Sequence, residues 1–142
     1  MVKKVFYTWK QFESDCNKLA VLIRKSGDKF DSLYGIPRGG LILAVRLSHK
    51  LGLPLIMHNA NVERRTLIVD DIADSGDTMI EFLGRKKYVT ATLFYNPLSK
   101  YAPTYFCRKK TNWVVFPWED EKTSCYDNIN RRRRQTQTVR RQ

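Results

Sequence analysis

Nothing in the chain approaches the ~18 consecutive apolar residues that a membrane helix needs. The first apolar run, Val5 to Tyr7, is far too short for the h-region of a secretory signal. Neither a membrane protein nor an exported one is therefore expected. Cysteine is scarce: Cys16, Cys107 and Cys125 form an odd, scattered set. That excludes a disulfide framework and a cysteine-rich zinc site, and points to a reducing cytoplasm. Internal repeats are absent, so a solenoid or blade architecture is not expected. Both familiar nucleotide fingerprints, G-x-x-x-x-G-K-[ST] and G-x-G-x-x-G, are also missing.

What is present suits one ordinary domain. The 142 residues are 42% hydrophobic and 12% aromatic, enough for a packed core. A chain of that length buries roughly two-thirds of its unfolded surface. The net charge is +12, but it is unevenly spread. Residues 131–142 hold six arginines and no acid, so half of the excess sits in a tail with almost no apolar residues. Such a tail is expected to be flexible. The rest of the chain remains basic, which suits a polyanionic small substrate or nucleic acid and does not choose between them. Residues 1–130 are read as the domain and 131–142 as the basic tail.

The pattern along the chain alternates strand and helix. Thr8-Trp-Lys-Gln11 has the form of a capping box. Behind it Phe12, Cys16, Leu19, Ala20 and Ile23 fall at helical spacing, and Ser26-Gly27-Asp28 stops the helix. Ser32 to Ile36 reads as a buried strand, Pro37-Arg38-Gly39-Gly40 as a loop, and Leu41 to Lys50 as a helix ended by Gly52. Leu53 to Met57 is a second strand and Thr66 to Val69 a third. Asp70 to Asp77 reads as a loop, Thr78 to Gly84 as a helix and Tyr88 to Tyr95 as a fourth strand. This order predicts an α/β fold, a parallel twisted sheet flanked by helices. Beyond Asn96 come two short β-like pieces, Tyr105 to Cys107 and Trp113 to Phe116, separated by a basic loop. They predict a small C-terminal hood over about residues 97–121.

One stretch carries most of the chemistry: Leu67-Ile-Val-Asp-Asp-Ile-Ala-Asp-Ser-Gly-Asp-Thr-Met79. An apolar strand runs into Asp70 and Asp71, then into Asp74-Ser75-Gly76-Asp77-Thr78 and a helix. Amides at a helix start point outward, and the dipole there favours an anion. Gly76 allows close backbone approach, and Ser75 and Thr78 add hydroxyl donors. The loop is built for a phosphate monoester, and the two upstream carboxylates suit a sugar diol. The plainer alternative, a capped helix after a buried strand, leaves three acids beside a Gly-hydroxyl turn without a use.

These residues resemble the signature of the type I phosphoribosyltransferases, over about thirteen consecutive positions. An aspartate at the position of Asp74 resembles the 6-oxopurine branch. Two further segments carry the same resemblance. In Tyr34-Gly35-Ile36-Pro37-Arg38-Gly39-Gly40, glycines expose amides and Arg38 offers a planar fork to phosphate oxygens. The family places such a loop at pyrophosphate, sometimes with a cis non-proline peptide. Trp113-Val-Val-Phe-Pro-Trp-Glu119 is similar to a segment of the bacterial xanthine-guanine enzymes, where the first tryptophan stacks on the purine. The likeness spans roughly residues 5–121.

The resemblance implies transfer of ribose 5-phosphate from phosphoribosyl pyrophosphate to a purine base, giving a nucleoside monophosphate and pyrophosphate, with Mg2+. Asp70 and Asp71 are then the ribose and metal residues. Arg38 and Gly39 face pyrophosphate, and Asp74 to Thr78 hold the 5′-phosphate. Asp74 is also the general acid/base at the purine. Trp113, Val114 and Asn96 contact the base. A homodimer or homotetramer is implied as well.

The chain departs from the family pattern in three places. Asn96 stands where relatives carry a lysine for the purine 6-oxo group, and Lys100 is the expected substitute. The segment His58 to Arg65 is far shorter than the mobile loop that closes over the substrate in relatives. Asp77 adds an acid to the phosphate loop, where it must turn away or help to hold metal. Among other residues, His49 reads as a surface or packing histidine, and Lys86 and Lys87 as a solvated face. His58, Arg64 and Arg65 are candidates near the site. The competing reading is a regulatory protein of the same fold that binds nucleic acid through its arginine tail. Asp74 argues against it, because a regulator needs no acid at the base.

Overall fold

The structure is a computed structural model, and it describes residues 3–122. The arginine-rich tail at 131–142 and Cys125 lie outside the described residues. In chain order the elements are β1 (Lys4–Phe6), α1 (Trp9–Ser26), β2 (Ser32–Gly35), α2 (Gly40–Leu51), β3 (Leu55–Ile56), β4 (Thr66–Ala73), α3 (Asp77–Leu83), β5 (Thr90–Tyr95), β6 (Tyr105–Lys109) and β7 (Trp113–Val115). A single 3-10 turn, Asn59–Asn61, lies between β3 and β4. They divide into two units: Lys10–Thr111, and a smaller one whose described parts are residues 3–9 and 112–122.

The larger unit is built on a five-stranded sheet of order β3-β2-β4-β5-β6, with every pair parallel. Parallel strands joined by helices are covered on both faces, so their central strands read as unbroken apolar runs. Leu67, Ile68 and Val69 of β4 and Ala91 and Leu93 of β5 are fully buried. On one face Met79 and Leu83 of α3 pack with Tyr34, Ile36 and Ile68, and the Tyr34 ring stacks on Phe82. α2 packs on β2 and β4, burying Leu43, Ala44 and Leu47. α1 buries Phe12, Cys16, Leu19, Ala20 and Ile23, the face that the helical spacing predicts. Gly52 ends α2 in the left-handed region, at φ 65°.

Two differences from the sequence reading bear on function. β4 does not stop at Val69 but continues through both aspartates to Ala73. β5 holds it there, pairing Asp70 with Thr92, Ile72 with Phe94 and Ala73 with Tyr95. The two acids are thus strand residues. Second, β6 lies within the stretch read as a hood, yet it pairs with β5 and forms the edge of the main sheet. Its Arg108 anchors α1: Nε lies 2.6 Å from Oδ2 of Asp15, a side chain only 1% exposed.

In the smaller unit β1 and β7 form a two-stranded parallel sheet, with Val5 opposite Val114. Tyr7 packs edge-on to Phe116, and Phe116 stacks on Trp118 at a centroid distance of 4.9 Å. No described helix is long and apolar enough to cross a membrane.

Candidate active site

Two loops carry the chemistry, and both leave the carboxyl ends of neighbouring strands. The chain passes from β2 outward to β3, then returns to β4 on the other side of β2. In open parallel sheets ligands bind beyond the carboxyl ends of the strands where successive connections diverge in this way. Here that place lies between the β2–α2 loop and the β4–α3 loop.

The β2–α2 loop begins with Ile36, whose amide donates to Val69 O at 2.9 Å. The Pro37–Arg38 peptide is cis, and the Arg38 side chain is exposed. Gly39 is required by close approach. A β-carbon there would overlap the carboxylate of Asp71, and one at Gly40 would lie 2.6 Å from Val69 O. Asp71 therefore lies against the amino end of α2, whose cap residue, Gly39, contributes no side-chain bond. A carboxylate is favoured there by the outward-pointing amides and the helix dipole. Its own amide donates to Asp70 Oδ1 at 2.9 Å. Asp70 and Asp71 are each 8% exposed, so both acids sit near the carboxyl end of β4 with little water around them.

In the β4–α3 loop Gly76 has φ 87° and caps α3 without a side-chain bond. The Asp77 amide donates to Ser75 Oγ at 3.2 Å, which tightens the turn. The segment after β5 wraps this loop. Lys100 N donates to Ser75 O at 3.0 Å, and a β-carbon on Gly76 would come within 2.7 Å of Ser99 Oγ and Tyr101 N. Lys100 Nζ meets Asp77 Oδ1 at 3.1 Å. That pair gives the extra acid in the loop a partner at the surface.

Asp74 is the first residue beyond β4, and its neighbours arise from strand register. Ala73 pairs with Tyr95, and Tyr95 with Lys109. The residues one step on, Asp74, Asn96 and Lys110, therefore form a row along the carboxyl edge of the sheet. The ladder continues into this row through Asn96 N to Ala73 O at 2.9 Å and Lys110 N to Tyr95 O at 2.8 Å. Lys110 Nζ lies 2.9 and 2.8 Å from the two oxygens of Asp74. Asn96 Nδ2 donates to Asp74 Oδ1 at 2.9 Å, and Asn96 Oδ1 accepts from Leu98 N at 3.0 Å. Lys110 carries no motif of its own in the sequence. Its only trace there is the run Arg108-Lys109-Lys110.

Within the larger unit, Arg65 and His58 have other partners. Arg65 precedes β4, at the amino ends of the strands. It pairs with Asp31 at 3.4 Å and so does not reach the phosphate loops. His58 Nδ1 accepts from Ala60 N at 3.1 Å and caps the 3-10 turn, which gives it a local structural task. His49 is exposed near the end of α2. Trp113 and Val114 belong to the smaller unit, where Val114 is buried and Trp113 partly so. Cys16 and Cys107 carry free thiols, and burial pushes each up to about 12. Thiols of that kind are protonated at neutral pH and are not nucleophiles.

The chain resembles known proteins in sequence and in fold. The chain is 30% identical to the xanthine-guanine phosphoribosyltransferase of Gluconobacter oxydans, across 79% of this chain and 82% of that protein. The solved purine phosphoribosyltransferase of Pyrococcus horikoshii is 35% identical and superposes with a TM-score of 0.69, over 82% of this chain and 95% of that one. The chain belongs to the purine phosphoribosyltransferases. The xanthine-guanine-hypoxanthine phosphoribosyltransferase of Helicobacter pylori, at 22% identity and a TM-score of 0.70 over 88% of this chain and 99% of that one, agrees in fold. No family model matches the chain. Asp70 and Asp71 stand on β4, Ser75 and Gly76 lead into α3, and the Pro37–Gly40 loop lies against Asp71.

Proposed function

We propose that the protein transfers ribose 5-phosphate from phosphoribosyl pyrophosphate to a 6-oxopurine, releasing pyrophosphate and a nucleoside monophosphate, in cytoplasmic purine salvage. The observation that carries this reading is the seating of the Asp71 carboxylate against Gly39. It joins the loop suited to pyrophosphate to the strand suited to ribose, beside a phosphate loop one strand end away.

In this reading Ser75, Gly76, Asp77 and Thr78 hold the 5′-phosphate through loop amides and hydroxyls. Asp70 and Asp71 accept from the ribose hydroxyls. The anomeric carbon gains oxocarbenium character as its bond to pyrophosphate breaks, and negative charge grows on the leaving oxygens. Arg38 and the amides beside Gly39 stabilise that charge. Asp74 moves a proton at the base nitrogen as the new C–N bond forms. By the same resemblance Trp113 is the residue that stacks on the base and Val114 the one that meets its edge, while Asn96, expected as a base contact, acts through Asp74. The same resemblance supports a homodimer or homotetramer.

Asp70 and Asp71 fit Mg2+. They are oxygen donors on consecutive residues of β4, each 8% exposed. That donor set suits an ion that keeps several waters and takes its remaining ligands from the substrate. When bound, Mg2+ would neutralise charge on the pyrophosphate.

The test is a panel of hypoxanthine, guanine, xanthine and adenine, each with phosphoribosyl pyrophosphate and Mg2+, following pyrophosphate release. Turnover with a 6-oxopurine is expected. No release with any of the four would overturn the reading.

A further inference from the structure

In the proposed reaction Asp74 works at the base, and Lys110 is paired with Asp74 on both oxygens. We infer that Lys110 is the residue that selects a 6-oxopurine over a 6-aminopurine, working together with Asp74. The inference rests on the transferase reading above and extends it.

Three observations carry it. First, register places Asp74, Asn96 and Lys110 side by side on the edge of the sheet, in the same unit as the phosphate loop. Second, Lys110 Nζ approaches both oxygens of Asp74, while its side chain is only 16% exposed, against 43% for Asp74. A mostly sheltered ammonium beside a half-open carboxylate is not the loose surface pair that water screens to nothing. Third, Asn96 spends its side chain on bracing: Nδ2 goes to Asp74, and Oδ1 accepts from Leu98 N. Asn96 orients the acid, and the cation comes from the next strand.

The chemistry follows from donor counts. An ammonium has three N–H donors and no acceptor, and an ionised carboxylate accepts only. Side by side they present a donor next to an acceptor. A 6-oxopurine offers the complement, a carbonyl oxygen next to a ring N–H. An exocyclic amine in place of the carbonyl would turn its own N–H groups toward the ammonium. A site built to hydrogen-bond one group rejects an analogue that leaves its buried polar groups unpaired. Lys110 is in this sense a specificity residue, and Asn96 a positioning residue.

The experiment compares the full-length wild type with Lys110→Gln and Lys110→Arg. Steady-state kinetics are measured with hypoxanthine, guanine and adenine, and binding of the corresponding nucleoside monophosphates is measured by calorimetry. Thermal unfolding reports on folding. Lys110→Gln is expected to lose ~10–100-fold in kcat/KM for the two 6-oxopurines, the range of one charge-assisted hydrogen bond. Its KM for phosphoribosyl pyrophosphate is expected to stay within about twofold, and its preference over adenine to shrink. Lys110→Arg is expected to restore much of that preference, because it keeps the charge and the donors. Equal losses for all three bases, or a parallel loss of phosphoribosyl pyrophosphate binding, would mark a structural ion pair and overturn the inference. A wild type that prefers adenine overturns it too. A wild type that releases no pyrophosphate removes the transferase reading together with it, whereas an active wild type matched by Lys110→Gln removes only the role of Lys110. If Lys110→Gln does not fold, the comparison of Lys110→Arg with wild type in nucleotide binding decides. Retained discrimination is expected, and its loss with folding intact overturns the inference.

Discussion

The carboxylate of Asp74 receives the ammonium of Lys110 on both oxygens, although 36 residues separate the two in the chain. Each stands one residue beyond the carboxyl end of its strand. Parallel register alone brings them together, with Asn96 on the strand between. This row lies beside the phosphate loop, and it makes Asp74 a group with a fixed orientation.

Asp74→Asn should lower turnover by ~10²–10⁴-fold, the usual share of a general acid/base. Asparagine is nearly isosteric, and its one amide oxygen can still accept from Asn96 and Lys110, while its NH2 replaces the second oxygen that Lys110 meets, so thermal unfolding is measured alongside. Single-turnover rates with a saturating base are the measurement. Near-normal turnover would remove Asp74 from proton transfer.

Gly39→Ala tests the seating of Asp71. The added methyl group meets the Asp71 carboxylate, so either the loop or the acid must shift. Overpacking of this kind typically costs ~1–3 kcal/mol. The melting temperature should fall, and the KM for phosphoribosyl pyrophosphate should rise at least ~10-fold, in line with the misplacement of binding groups. Wild-type stability and KM together would show that the two loops are not packed as described.

Trp113→Ala should weaken base binding more than phosphoribosyl pyrophosphate binding, by the ~1–3 kcal/mol typical of base–aromatic stacking. Calorimetry with each ligand separately distinguishes the cases. Equal losses for both ligands would assign the tryptophan to packing.

Glu13 provides a pH dependence remote from the active site. Hydrogen bonds from Arg46 and Lys50 hold its carboxyl at about 2, against an ordinary 4.5. Because the folded value is depressed, the contribution to stability is fully present above pH 4.5 and is lost as the pH falls toward 2. The Glu13 side chain is 46% exposed. Solvent screening therefore keeps the contribution to about 1 kcal/mol or less. Glu13→Gln should unfold slightly earlier than wild type at pH 7, and the gap should narrow as the pH drops below 4.5. A gap that does not vary with pH would mean that Glu13 acts through packing.

Much of the fold and of the site was legible in the residues themselves. The helical spacing of Phe12, Cys16, Leu19, Ala20 and Ile23 determines which face of α1 is buried, since any other rotation would expose it. Asp70-Asp71 followed by Asp74-Ser75-Gly76-Asp77-Thr78 marks a candidate phosphate loop, because glycine, hydroxyl groups and acids fall there within a few consecutive positions. Such local patterns need no partner from afar. Strand ends are different. β4 continues past Val69 only because β5 offers a ladder to pair with, and the acids of Asp70 and Asp71 would otherwise argue for a loop. Tyr105 to Lys109 is short and weakly apolar, so only its pairing with Tyr95 and its neighbours reveals an edge strand of the main sheet. Lys110 follows from that pairing. Nothing in a run of basic residues separates the one that meets Asp74 from Arg108, which turns to Asp15. The sequence by itself determined the parallel α/β class and singled out Asp70, Asp71 and the Asp74–Thr78 stretch as candidates. The tertiary structure alone decided which cation stands beside Asp74, because that depends on the register of three strands, and register is a property of their pairing.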